Sequence, residues 1–382
     1  MIKNLKKLCL LIWICTLAAC SFFDTDNTPE PTKLTEIKPE ITPKMKWAVN
    51  AGSGMDDDFL RISPAVTDHS VITADKKGRI SSINKKSGEI EWQVNTGLPL
   101  ATGPGTGENL VVVGSSKGNI HALSALNGKT LWKVEVNSEI LANPVVTKDK
   151  VLVKTIDGHL YALSTRDGHT LWTYEQVEPS VILRGTSLPK TWGNYGVVGF
   201  ANGNLVKLSL SKGDVAWLQP ITLSQGSLTV QRMIDIDADP FLMNDRIYVA
   251  TYQGKIAALD WTSGQTLWSQ DISSYAGLSG EHGQIFVSDA KSVVWAFAAN
   301  NGLSKWRQTQ LGARNITGPA AINGYVVVGD AEGYLHWLSQ KDGHFAGRIK
   351  LANAAILAPP VVDGNTLYVV NQKGYLAAYN VG

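Results

Sequence analysis

The sequence predicts an all-β chain, an eight-bladed β-propeller whose ring is closed by its own N-terminal strand. Three observations carry that prediction. A glycine, a second glycine ten residues on and a tryptophan four after that recur along the chain, as in Asp157–Trp172 (DGHLYALSTRDGHTLW). The copies lie about 40 residues apart, the period of a four-stranded blade that cannot bury both faces alone. The last copy lacks its tryptophan strand, and a spare strand stands near the start of the chain.

Taken in order, the chain begins with a leader. Met1–Lys7 holds three lysines and Leu8–Leu17 is almost wholly apolar, which predicts a signal peptide over 1–19 rather than a membrane span. Leu17-Ala18-Ala19-Cys20 resembles a bacterial lipobox, which implies cleavage before Cys20 and acylation of that residue. Ser21, rather than Asp, after the cysteine implies sorting to the outer membrane. All three cysteines, Cys9, Cys15 and Cys20, lie at or before the cleavage point, so no disulfide, cysteine metal site or thiol nucleophile is expected in the remainder. Residues 20–43, with four prolines and many Thr, Asp and Glu, read as a flexible tether spanning roughly 25–30 Å.

The propeller is expected over 44–382. Lys44–Asn50 (KMKWAVN) is the spare strand, expected to complete the last blade and so remove the free edge between the two ends of the ring. The first glycine of each copy then falls at 78, 118, 158, 203, 254, 333 and 374, with Ser292 standing in for an eighth. Between the two glycines runs one strand, with Leu160, Ala162 and Ser164 on one face and Tyr161 and Leu163 on the other. Asn127-Gly128, Asp167-Gly168, Asn301-Gly302 and Asp342-Gly343 suit the positive φ of hairpin turns. The tryptophans at 92, 132, 172, 217, 268 and 306 are expected as inter-blade wedges, and Gly347 occupies that place in the seventh copy.

Two connections break the rhythm. The stretches from Trp172 to Gly203 and from Trp217 to Gly254 exceed the others by about five and about eleven residues. Insertions in a repeat fold gather on one face, often the binding face. The first, VEPSVILRGTSLP (177–189), sets Val181, Ile182 and Leu183 beside Arg184, either a docking anchor or a loop folded on its own blade. The second holds Asp235, Asp237 and Asp239 at every second position, so an extended segment points all three carboxylates one way. Calcium binding is one reading of them, and charge pairs with a partner or with Arg232 another.

With these features in place, the repeat is similar to that of the pyrroloquinoline-quinone-type propellers. Together with the lipobox, the eight copies, the Leu183-Arg184-Gly185 loop and the Asp235-x-Asp237 loop, the mature chain resembles the BamB family of lipoproteins of the outer-membrane β-barrel assembly machinery. The resemblance implies a non-enzymatic scaffold without cofactor, on the periplasmic face of the outer membrane. It implies binding to the third POTRA domain of BamA through Val181, Leu183 and Arg184 in one loop and Asp235 and Asp237 in the other. Through BamA it implies contact with the other assembly lipoproteins, and it allows capture of unfolded barrel strands by β-augmentation at blade edges. Val181 stands where the family usually has Leu, and Ile182 fills a slot that is commonly polar.

The rival reading is a quinoprotein-type dehydrogenase or other ligand-binding propeller. Those enzymes resemble the chain in repeat but pair adjacent cysteines over the quinone and carry calcium, and the mature chain has no such pair. Gly114-Ser115-Ser116-Lys117-Gly118 matches a nucleophile pattern but sits in a turn, without the strand-to-helix elbow that chemistry needs. His121, His159, His169, His336 and His344 fall in hairpins with no metal-binding spacing. Gly103–Gly107 has no following helix to cradle a phosphate, and Asp56–Asp58 reads as a solvated turn. From Cys20 onward 32 basic residues meet 33 acidic ones, which argues against nucleic acid as a partner.

Overall fold

Among the described residues, thirty-two short strands form eight four-stranded antiparallel sheets, each made of strands consecutive in the chain except one. The structure, a computed structural model, describes residues 29–54, 60–183, 185, 187–223 and 227–381. The expected leader, Cys20, Asp56–Asp58 and Arg184 lie outside the described residues. Blades 1 to 7 occupy 65–95, 105–135, 145–175, 190–220, 241–272, 278–308 and 320–350. Blade 8 takes Val361–Asp363, Thr366–Val370 and Tyr375–Asn380, and Lys44–Asn50 pairs with Tyr375–Asn380 as its outer strand. The N-terminal strand thus closes the ring, as the sequence predicts.

The first strand of each blade is short, and in every blade but the fourth it touches its counterpart in a neighbouring blade, including Ala65–Val66 against Val361–Asp363, so these strands line the axis. The core lies between blades. Val111 and Val113 of blade 2 pack with Ile72 and Ile80 of blade 1, for example.

The Gly–Trp grammar has a direct structural cause. Each outer-strand tryptophan lies over the second glycine of the next blade, where a Cβ would come within 2.7 Å of the indole at Gly88, Gly128, Gly168, Gly213, Gly264, Gly302 and Gly343. The indole N–H then donates to a carbonyl of that blade, as Trp172 does to Leu210 at 3.0 Å and Trp306 to Gln340 at 2.9 Å. Trp47 of the closing strand makes the same contact on Gly88 and donates to the Lys85 carbonyl at 3.0 Å, so the seam between first and last blades is locked like the others. Ser292, in place of a first glycine, adopts the positive φ of 65° that its turn demands.

Blade 7 exchanges the pair. In the other blades except blade 4, where Lys207 faces Trp217, a small residue faces the tryptophan across the strands, as Ala162 faces Trp172, but here Trp337 faces Gly347. The ring has moved to the neighbouring strand, where it is fully buried against Tyr379. The space beside Gly347 is taken by Ile41, whose side chain a Cβ there would meet at 3.1 Å.

That contact corrects the tether. Of the span 20–43 expected to be free, residues 32–43 lie on the propeller. Glu40 and Ile41 N–H groups donate to the Ala346 carbonyl, and Thr32 N–H donates to that of Gly312. Leu34 and Ile41 pack on two core clusters. Beneath them runs a buried polar network in which Arg314 donates to Asp330 at 2.8 Å and to the Thr32 carbonyl at 2.9 Å. His336 shares Asp330, and Arg348 donates to His336 Nδ1 at 3.1 Å and to the Thr35 carbonyl at 2.7 Å. Prolines and charges in the segment hide three half-buried apolar residues, Leu34, Ile37 and Ile41.

Candidate functional site

Both insertions join an outer strand to the next inner strand, from Thr170–Glu175 to Lys190–Trp192 and from Val215–Pro220 to Phe241–Met243. Because strands alternate in direction within each blade, such connections share one face with the turns between second and third strands. Blade 4 therefore carries one insertion at its entry and the other at its exit.

The second insertion is sorted by its alternation. Ile234, Ile236 and Ala238 are buried, Ile234 over Gly203 and Ile236 over Gly199, where a Cβ would meet them at 2.7 and 2.2 Å. Asp235, Asp237 and Asp239 consequently face the other way, as expected of an extended segment. What they face is the first insertion. The Leu183 N–H donates to Asp235 Oδ1 at 2.8 Å and the Leu188 N–H to Asp239 Oδ1 at 2.8 Å. Asp237 lies against Gly185, where an added Cβ would stand 3.0 Å from its carboxyl carbon. Lys190 Nζ approaches Asp239 at 3.7 Å. The three carboxylates clasp one loop.

A buried cation completes the clasp. Lys154, at the end of the second strand of blade 3, donates to the Gly199 carbonyl at 2.6 Å and lies over the Phe200 ring. Glu178, near the start of the first insertion, accepts the Ala201 and Asn202 N–H groups at 3.2 and 3.0 Å. Lys154, Glu178, Ile182, Gly185 and Asp237 line a narrow cleft between the insertions and the blades. Crowding acids in a poorly solvated place raises them. Burial and then Asp235 push Asp237 up to about 7, against the pull of Lys154 and Arg61. Burial also raises Asp235 and Glu178 and lowers Lys154.

The sequence-predicted site residues therefore divide. Val181 is 41% exposed, and Leu183 and Asp237 are half-buried. Asp235 is fully buried, so it acts on the loop rather than at the surface. Sequence reasoning missed Val177, Leu223 and Leu228, exposed apolar residues on the same two insertions. Their signal was present as apolar residues inside the irregular segments. Among the described residues no group of three or more His, Cys, Asp and Glu side chains is placed to hold a metal. Ser115 Oγ, in the turn expected for it, accepts the Lys117 and Asn119 N–H groups.

Comparison with known proteins adds the following. A family profile described as outer membrane protein assembly factor BamB matches residues 76–308 and 306–382. The chain is 48% identical over 375 residues to the outer membrane protein assembly factor BamB of Alkalilimnicola ehrlichii, covering 98% of this chain and 97% of the relative. Among solved structures, BamB from Moraxella catarrhalis superposes with a TM-score of 0.83 at 26% identity, over 89% of this chain and all of that one. The quinohemoprotein alcohol dehydrogenase of Comamonas testosteroni has a TM-score of 0.70 at 14% identity, over 89% of this chain and 76% of that one, a likeness of fold alone.

Proposed function

The chain belongs to the BamB family of outer membrane protein assembly factors, and on that premise we propose that it is a non-enzymatic scaffold whose two insertions dock on BamA. It acts in assembling β-barrel proteins, held by a lipid on Cys20 and facing the periplasm, with the third POTRA domain as the binding partner. The observation that carries the reading is the clasp. Loops with no function of their own tend to be loose, whereas three carboxylates are spent here on presenting one apolar loop at the surface. Val181 and Leu183 supply the anchor, and Val177, Leu223 and Leu228 are exposed on the same two insertions. Asp237 offers a carboxylate, and Arg184 a cation, to fix orientation. Asp235 and Asp239 set the loop's shape by holding the Leu183 and Leu188 amides.

Binding of residues 21–382 to the periplasmic POTRA fragment of the cognate BamA, with Arg184→Glu alongside, tests the proposal. Micromolar binding, weakened by about 2 kcal/mol or more in a still-folded variant, is expected for a hot spot. No binding by the native chain would overturn it.

A further inference from the structure

We propose that Arg61 is a positioning residue for this site, a cation carried across the propeller axis to hold the insertions in place. The inference rests on the docking reading only for what the site does.

Arg61 belongs to the segment between the closing strand Lys44–Asn50 and blade 1. Its neighbour Ile62 is buried in the core shared by blades 1 and 2, which fixes the backbone, while the Arg61 side chain remains accessible. The guanidinium donates to the Tyr275 carbonyl at 2.5 Å and lies 4.8 Å from the centre of the Tyr275 ring. Tyr275 precedes the inner strand of blade 6, Leu278–Glu281. Blades 1 and 6 are three places apart in a ring of eight, and inner-strand contacts run between neighbouring blades. A direct contact between them has to pass over the axis.

From Tyr275 the contacts lead to the clasp. The Tyr275 ring meets that of Tyr252 at 6.1 Å, and the Tyr252 N–H donates to the Asp235 carbonyl at 2.9 Å. The Arg61 guanidinium is also close enough for its charge to favour the ionised forms of Asp237 and Asp239. The groups that act on Asp237 are Asp235 and Glu178, which repel it, and Lys154 and Arg61, which attract it. Three acids converge there, with Lys154 as the one buried cation beside them among the described residues, so a second cation from across the axis offsets repulsion that would open the clasp. The ring-closing segment and the docking insertions are thereby one mechanical unit.

The test compares full-length native protein with Arg61→Gln and Arg61→Lys by amide hydrogen exchange, melting and a pH series. Arg61→Gln is expected to speed exchange in the peptides holding Leu183 and Leu188 by about tenfold or more, with an unchanged melt. It is expected to move the Asp237-linked step in protection to higher pH, because a nearby cation favours the ionised carboxylate. Arg61→Lys should stay near native on both readouts. Native-like protection in Arg61→Gln, or equal loosening in both variants, would overturn the proposal. Affinity for the POTRA fragment is measured in parallel. If the native protein does not bind, the docking reading fails, while the exchange data still decide the role of Arg61.

Discussion

The inter-blade seams and the insertion clasp solve the same problem, holding two segments together, with opposite chemistry. At each seam a tryptophan covers a glycine and one indole N–H finds a carbonyl, and this device repeats seven times among the described residues. At the clasp no element repeats. Asp235, Asp237, Asp239, Glu178 and Lys154 each occur once in their roles, and several are driven from their ordinary titration range by burial. Apolar wedges leave the tryptophan–glycine contacts themselves indifferent to pH. Buried charges make the clasp dependent on it, and they fix a loop without adding to the core.

The largest effect should come from breaking the seam that closes the ring. Deleting 44–50 removes Trp47, itself worth about 3–5 kcal/mol in a core, together with a whole outer strand. A fall in melting temperature of more than about 10 °C is expected by calorimetry. An unchanged melt would show that the seam does not carry the closure.

Two glycines sharpen the same side of the comparison. Gly302 has φ 71° and Trp268 where a Cβ would come within 2.5 Å, whereas Gly324 has φ 82° and nothing within 4 Å. Gly302→Ala should cost about 1–3 kcal/mol more than Gly324→Ala in denaturant unfolding, since both share the strain but only one strikes the indole. Equal costs would mean that the tryptophan is not a tight wedge.

On the clasp side, pH is the lever. Asp237 has an ordinary value of 3.8 and stands at about 7 when folded, so folding favours its protonated form. Its ionisation therefore costs stability that grows from about pH 4 and is complete above about pH 7. Asp237→Asn should raise stability at pH 8 by on the order of 1–4 kcal/mol, with no gain at pH 4. A pH-independent difference in melting would remove the buried carboxylate from the account.

The ring was legible because its period and turns recur in eight copies and its tryptophan in most of them, so the few irregular copies could not hide the pattern. Even the exception at Gly347 was visible, but its compensation by Trp337 was not, because a tryptophan on a strand face looks like any other core residue. Residues 32–43 were misjudged for the same reason in reverse. Leu34 and Ile41 are single apolar residues among prolines and charges, and only the grooves of blades 6 and 7 reveal their use. The direction of Asp235, Asp237 and Asp239 followed from alternation alone. Their targets did not, since Leu183 and Leu188 lie about 50 residues away and nothing local links an aspartate to a backbone amide.

The central claim is that the clasp shapes a docking surface which the ring merely carries. Its most direct test is affinity of Asp235→Ala for the BamA POTRA fragment, read beside its melt. Asp235 is buried and holds the Leu183 amide, so the account predicts at least about tenfold weaker binding with a cooperative melt retained. Native affinity in that variant would contradict it.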